Sequence, residues 1–207
     1  MASDSELLQS WRGGDATAGR ALFERYFEPL YRFFANKVGD GVEDMIQETL
    51  LACVEGRDRV RDGAGFRTYV FTVARNRLYK RWRRRSRKEG KIDFGLSSVV
   101  DLGDSPSVVA ADNERDERLV VALRTIPADL QVALELFYWE DLSASEIAEI
   151  VGVPEGTARS RLRRGRALLA ERLAEADAGD SIDVSEAGLA GWAASIRAQI
   201  RGDDGPA

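Results

Sequence analysis

The sequence predicts an all-α protein: two small helical domains joined by a flexible acidic linker, the second containing a helix-turn-helix. Three observations carry that expectation. Apolar residues recur at helical spacing along almost the whole chain, with no clear period-2 strand. The Lys and Arg residues gather in two blocks separated by acidic stretches. Between Leu142 and Leu162 the capping and turn residues of two short helices stand in order. With 207 residues the chain is long enough for two compact cores, and 44% hydrophobic against 31% charged residues places it among folded globular proteins.

In the first domain, Asp15 caps a helix carrying Leu22, Phe23, Tyr26 and Phe27. Pro29 then restarts it at a first-turn position, and Leu30, Phe33, Phe34 and Val38 continue the apolar face. After Gly39-Asp40-Gly41 a helix from Val42 to about Gly56 presents Met45, Ile46, Leu50, Cys53 and Val54. Arg57 to Gly65, charged on both sides of Val60, reads as an exposed loop. A long helix over about 66–85 turns Phe66, Val70, Val73, Ala74 and Leu78 inward and gathers its basic residues toward its C-terminal end, where the helix dipole favours them. Residues 86–112, rich in Gly, Ser and Asp, form the linker. Leu119, Val120, Leu123 and Ile126 mark the next helix, and Pro127 opens another that is apolar on more than one side. Ser143 and Glu146 make a capping box, Gly152 supplies a turn and Pro154 starts a second helix.

The composition removes several classes of chemistry. No histidine is present, which excludes imidazole bases, histidine-dependent nucleophiles and histidine-liganded zinc. A lone cysteine, Cys53, permits no intramolecular disulfide, fits a reducing cytosol and reads as a small core residue. No apolar run exceeds five residues, as in Leu50 to Val54, so a membrane partner is not expected, and the N-terminus lacks the pattern of a signal peptide. The net charge of −5 conceals a segregation: ten Lys or Arg between Arg75 and Lys91, and five arginines between Arg159 and Arg166. The second helix of the helix-turn-helix sets Arg159, Ser160, Arg163 and Arg164 opposite Ala158, Leu162 and Leu169, offering guanidinium donors to base edges and phosphates. In the first block Tyr69, Phe71, Tyr79 and Trp82 interleave with Arg67, Arg75, Arg77, Lys80 and Arg81, the equipment for unstacked single-stranded bases. Some of these rings must fill the core; Phe71 is assigned there, with Tyr69 and Trp82 left open.

The order of these parts resembles the extracytoplasmic-function (ECF) sigma factors of bacterial RNA polymerase over about residues 16–173. The resemblance is carried by Glu43-Asp44-Met-Ile-Gln47-Glu48-Thr, by Phe66-Arg67-Thr68 running to Ala74-Arg75-Asn76 and an arginine run, and by Gly156-Thr157-Ala-Arg159-Ser160-Arg161-Leu. It implies a region 2-like domain over 1–88, a linker over 89–112, a region 4-like domain over 113–175, and a C-terminal extension over 176–207. Asp44, Gln47 and Glu48 would then bind the clamp coiled coil of core polymerase, at an i, i+3, i+4 spacing that shares one helix face. The loop from Arg57 through Arg59 and Arg61 to Gly65 would capture a flipped base of the minus-ten element, and Arg67, Tyr69, Arg75, Asn76, Lys80 and Arg81 would contact the melted strand. Thr157, Arg159, Ser160, Arg163 and Arg164 would read the minus-thirty-five element.

These implications make the protein a cytoplasmic, DNA-binding specificity subunit with no catalytic residue, metal or cofactor of its own. Its expected partners are core RNA polymerase and promoter DNA, with an anti-sigma factor or a regulatory kinase left open. The extension carries Leu189, Trp192, Ala193, Ile196 and Ile200 at helical spacing, either as a cap on the second domain or as a lid over a functional face. The alternative is an autonomous helix-turn-helix regulator. An enzyme acting on nucleic acid fits less well, since no phosphate-binding glycine loop and no further carboxylate cluster are present.

Overall fold

A computed structural model describes residues 2–60, 65–85, 92–102, 114–176, 183 and 185–202. Helix α1 (Asp4–Arg12) begins at a reciprocal capping box between Ser3 and Glu6, and its Leu8 and Trp11 are buried. No helix was expected there. Asp15 caps α2 (Ala16–Ala35), which runs unbroken through Pro29. The expected restart is absent for an energetic reason. A proline inside a helix costs about 3 kcal/mol. Beyond it the same helix buries Leu30, Phe33 and Phe34, each contributing roughly 1.5–3 kcal/mol. Helix α3 (Val42–Gly56) leads through a 3-10 turn (Arg57–Arg59) toward α4 (Gly65–Arg85). Phe33 meets Phe34 and Phe71 edge to face, and Tyr26 meets Phe66 in the same way, closing the core of the first domain. Cys53 is buried in it, and burial pushes its thiol up to about 12.

The second domain comprises α5 (Glu114–Thr125), α6 (Ala128–Tyr138), α7 (Ala144–Val151), α8 (Glu155–Ala176) and α9 (Glu186–Gly202). Ser143 and Glu146 form the expected box at the start of α7, which ends on Gly152 at φ 69°, a left-handed conformation that glycine adopts without a Cβ penalty. On α8, a Cβ at Gly165 would sit 3.1 Å from the Leu134 side chain, so the helix lies close against α6 at that point. Among the described residues no strand and no helix long and apolar enough to cross a membrane is present.

The two domains pack together, and a polar cluster lies between them. Lys37, fully buried, donates to Glu135 and to the Phe33 carbonyl. Asn36 Nδ2 donates to Glu135 at 3.0 Å and Asn36 Oδ1 accepts from Arg124 at 2.7 Å. Arg32 forks onto Glu140 at 3.1 and 3.2 Å. Burial pushes the Lys37 ammonium down from its ordinary value, against the pull of Glu135 and Glu140. The expected flexible linker needs correction over residues 92–102, where Phe94, Val99 and Leu102 are buried. The Phe94 ring sits 4.3 Å from that of Tyr79 and 5.7 Å from that of Trp82. The Phe94 carbonyl accepts from the Asp129 amide at 3.0 Å, so this short segment binds α4 and α6 at once.

In α9, Leu189, Trp192 and Ala193 are buried, Trp192 lies 5.5 Å from the Trp139 ring, and Glu186 pairs with Arg166 at 2.9 Å. The side chains of Ile196 and Ile200 lie outside the described ones. The described part of the extension packs on the second domain, as a cap would. Deleting residues 179–207 is expected to lower the melting temperature by roughly 5–15 °C, since burial of two large apolar side chains is lost; a thermal melt followed by circular dichroism checks this.

Candidate nucleic-acid interface

The basic residues of α4 do not share one face. Successive helical positions turn by about 100°, which brings Tyr69, Thr72, Asn76, Lys80 and Arg83 onto one stripe. Asn76, Lys80 and Arg83 are exposed, and Tyr69 and Thr72 are half-buried. Thr72 was not among the expected contacts, although the i, i+3, i+7 spacing from Tyr69 would have found it; Arg83, expected only as part of a non-specific clamp on phosphate, falls on the same stripe at i+14. Arg75, expected among the strand-contacting residues, points elsewhere: its guanidinium lies 4.1 Å over the Tyr79 ring. That side of the helix faces the second domain, and the Tyr79 hydroxyl donates to Asp129. Tyr79 and Trp82 are therefore interdomain core, as Phe71 is core of the first domain, and of the four interleaved aromatics only Tyr69 keeps partial exposure. Burial, with Asp129 beside it, pushes the Tyr79 phenol up. Arg81 donates to the Asp40 carbonyl at 2.8 Å and so ties α4 to the turn before α3. Arg67 is half-buried.

The loop before α4 is partly a fixed element. Val60 is buried, Arg57 is half-buried with its guanidinium 5.4 Å from the Trp11 ring, and Asp58 and Arg59 are exposed. Arg12 Nε and Nη2 donate to the Arg57 carbonyl at 3.1 and 2.8 Å, and Nη2 also donates to the Val60 carbonyl. Arg61 lies outside the described residues.

On α3, Asp44, Gln47 and Glu48 are all exposed and share one face. Glu48 accepts from Arg77 of α4 at 3.2 Å, a half-exposed pair that other partners can displace at little cost.

On α8, Thr157, Arg159, Ser160, Arg163 and Arg164 are exposed. Thr157, Ser160, Arg163 and Arg164 fall within a sector of about 120°, with Arg159 at its edge. Arg159 pairs with Glu155 at 2.6 Å on the open surface. Arg161 turns the other way, to Asp129 at 2.9 Å. Ala158, Leu162 and Leu169 are buried beneath the exposed sector. The helix offers four or five hydrogen-bonding side chains on one convex face, which suits insertion into a major groove.

Comparison with known proteins agrees with this arrangement. Residues 22–88 match Sigma-70 region 2, and residues 116–169 match Sigma-70, region 4. The ECF RNA polymerase sigma factor SigL of Mycobacterium tuberculosis is 31% identical over 153 residues, covering 72% of this chain and 84% of its own. The ECF RNA polymerase sigma-E factor of Haemophilus influenzae is 24% identical over 180 residues, covering 83% and 95%. Among solved structures, the sigma factor RpoE from Bartonella quintana, in complex with the anti-sigma factor NepR, is similar with a TM-score of 0.57 and 25% identity, over 75% of this chain and 98% of that one. Helices α1 and α9 fall outside both matched regions.

Proposed function

The chain belongs to the ECF sigma factors of RNA polymerase, which direct promoter-specific initiation, and from that premise we propose how its surfaces divide the work. Core polymerase is bound through Asp44, Gln47 and Glu48 of α3. The minus-ten element is captured by the loop after α3, through Arg57, Arg59 and Arg61. Its melted strand runs along Tyr69, Asn76 and Lys80 of α4, with Thr72 and Arg83 added to the stripe; Arg67 and Arg81, turned well over 90° away from it around the helix, would meet the strand from other faces. The minus-thirty-five element is read by Thr157, Arg159, Ser160, Arg163 and Arg164 of α8. Residues 1–88 and 113–175 form the two functional units, joined by 89–112 and extended by 176–207. The chain carries no catalysis of its own. The observation that supports this reading is the separation of three exposed surfaces, one acidic and two basic, onto α3, α4 with its preceding loop, and α8.

An anti-sigma protein is proposed as a further partner, by analogy with the Bartonella relative, whose solved form contains one. An autonomous regulator would leave α1–α4 and the acidic face of α3 without a role.

The test is transcription with purified core polymerase, mapping transcript 5′ ends. The reading requires defined start sites that depend on this chain; start sites indistinguishable from those of core alone would refute it. Within that assay, Arg164→Ala is expected to weaken binding to the upstream duplex by about 1–3 kcal/mol and to relax base preference there. Asn76→Ala with Lys80→Ala should leave upstream binding intact and impair strand opening, read by permanganate reactivity of unpaired thymines.

A further inference from the structure

We infer that Arg12 is a positioning residue for minus-ten recognition: from α1 it holds the backbone of residues 57–60 so that the loop presents its exposed side chains in one fixed geometry to the captured base. The inference rests on the proposed role of that loop and adds a residue lying outside the region 2 match.

Three sets of contacts carry it. The first makes α1 a rigid support. Leu8 and Trp11 are buried, Trp11 meets Phe23 edge to face at 5.3 Å, and Asp4 accepts from both Tyr26 and Arg25. Trp11 lies so close over Gly19 that a Cβ there would stand 2.5 Å from its Nε1. The second is the Arg12 fork. The Arg57 carbonyl takes only a long local bond, from the Val60 amide at 3.4 Å, and Arg12 adds donors to it and to the Val60 carbonyl across a separation of 45 and 48 residues in sequence. A planar guanidinium can bridge two carbonyls in this way, whereas an ammonium acts as a single point charge. The third closes the other side. The Tyr69 hydroxyl donates to the Ala52 carbonyl at 3.4 Å and occupies the space that a Cβ on Gly56 would need.

Of residues 57–60, Asp58 and Arg59 are the exposed ones. A loop held in this way has already lost the conformational freedom that base capture would otherwise have to remove. Releasing the Arg57 and Val60 carbonyls should therefore loosen the loop and blur its choice of base, without touching α3, α8 or the exposed stripe of α4.

The experiment uses the full chain with core polymerase on a promoter library whose minus-ten and minus-thirty-five segments are randomised, with transcripts sequenced. Arg12→Met, which keeps the aliphatic stem, should reduce base preference at the captured minus-ten position at least tenfold, and Arg12→Lys should reduce it less. Preferences in the minus-thirty-five segment should stay within twofold of the unaltered chain. Melting temperatures and core binding are measured on the same preparations. Minus-ten preferences within twofold of the unaltered chain would overturn the proposal. So would a uniform fall in transcript yield with preferences intact, the signature of a helix that merely stabilises the domain. If Arg12→Met fails to fold, Arg12→Lys decides. Asp58→Ala and Arg59→Ala in the same library test the loop itself. If neither alters any minus-ten preference, the exposed side chains of residues 57–60 do not read a base and the Arg12 proposal falls with them, whatever Arg61 does; if they do while the Arg12 variants do not, the loop reading stands and the Arg12 role alone is refuted.

Discussion

Replacing Glu135 by leucine is expected to part the two helical domains while leaving each one folded. The substitution strands the Lys37 ammonium in a site fully closed to water, with the Phe33 carbonyl its remaining acceptor among the contacts described. It also removes the acceptor used by Asn36 and Gln131. Breaking a buried pair from one side costs about 3–5 kcal/mol, because the surviving charge stays desolvated. Unfolding would relieve that cost, but separation of the domains relieves it while sacrificing far less apolar burial. Small-angle scattering should show a larger radius of gyration with helicity by circular dichroism unchanged. Lys37→Met together with Glu135→Leu removes both charges and should recover most of the compaction. A single variant as compact and as stable as the unaltered chain would show that the pair does not hold the interface.

The second large effect concerns α3. Asp44→Arg combined with Glu48→Arg should abolish association with core polymerase at constant helicity, because both side chains are exposed and neither supports the core. The new arginine at position 48 would face Arg77, which now pairs with Glu48, but that contact lies at the surface and its loss costs at most about 1 kcal/mol. Co-elution of the folded double variant with core would remove the acidic face from the clamp assignment. Upstream duplex binding by the isolated chain should be unaffected, since α8 lies in the other domain.

Much of the fold was legible in the sequence because local signals agree with tertiary packing. Ser143, Glu146, Gly152 and Pro154 punctuate the helix-turn-helix, and the apolar residues between them are the ones buried. The same capping chemistry at Ser3 and Glu6 is a weaker signal in sequence, since only two strongly apolar positions follow it before Trp11. At Pro29 the local signal for a restart is outweighed by burial of the residues that follow it. The failures at the site have a different origin. Helical spacing separates Arg75 from Asn76 by a fixed angle, but which side is covered depends on Phe94 and Asp129, distant in sequence. Lys37 reads as an ordinary surface lysine; its burial follows from a partner 98 residues away. Interfaces between domains leave no periodicity in the chain, so the polar cluster could not be anticipated.

The segment around Phe94 also sets a condition on reach. Elements named minus ten and minus thirty-five stand about 25 base pairs apart, or about 85 Å along a duplex rising 3.4 Å per pair. A compact chain of this length has a radius of gyration of only about 17 Å. The packed arrangement can therefore touch one element at a time. Since Phe94 holds α4 by its ring and α6 by its carbonyl, straddling a promoter means letting go of one of them. Released, the stretch between Arg85 and Glu114 can extend to at most about 95 Å, a tether long enough to span the gap with slack from the domains themselves. If both elements are engaged at once, residues 92–102 must leave α4 or α6, and shortening the stretch between the domains is expected to shift the preferred distance between the two elements.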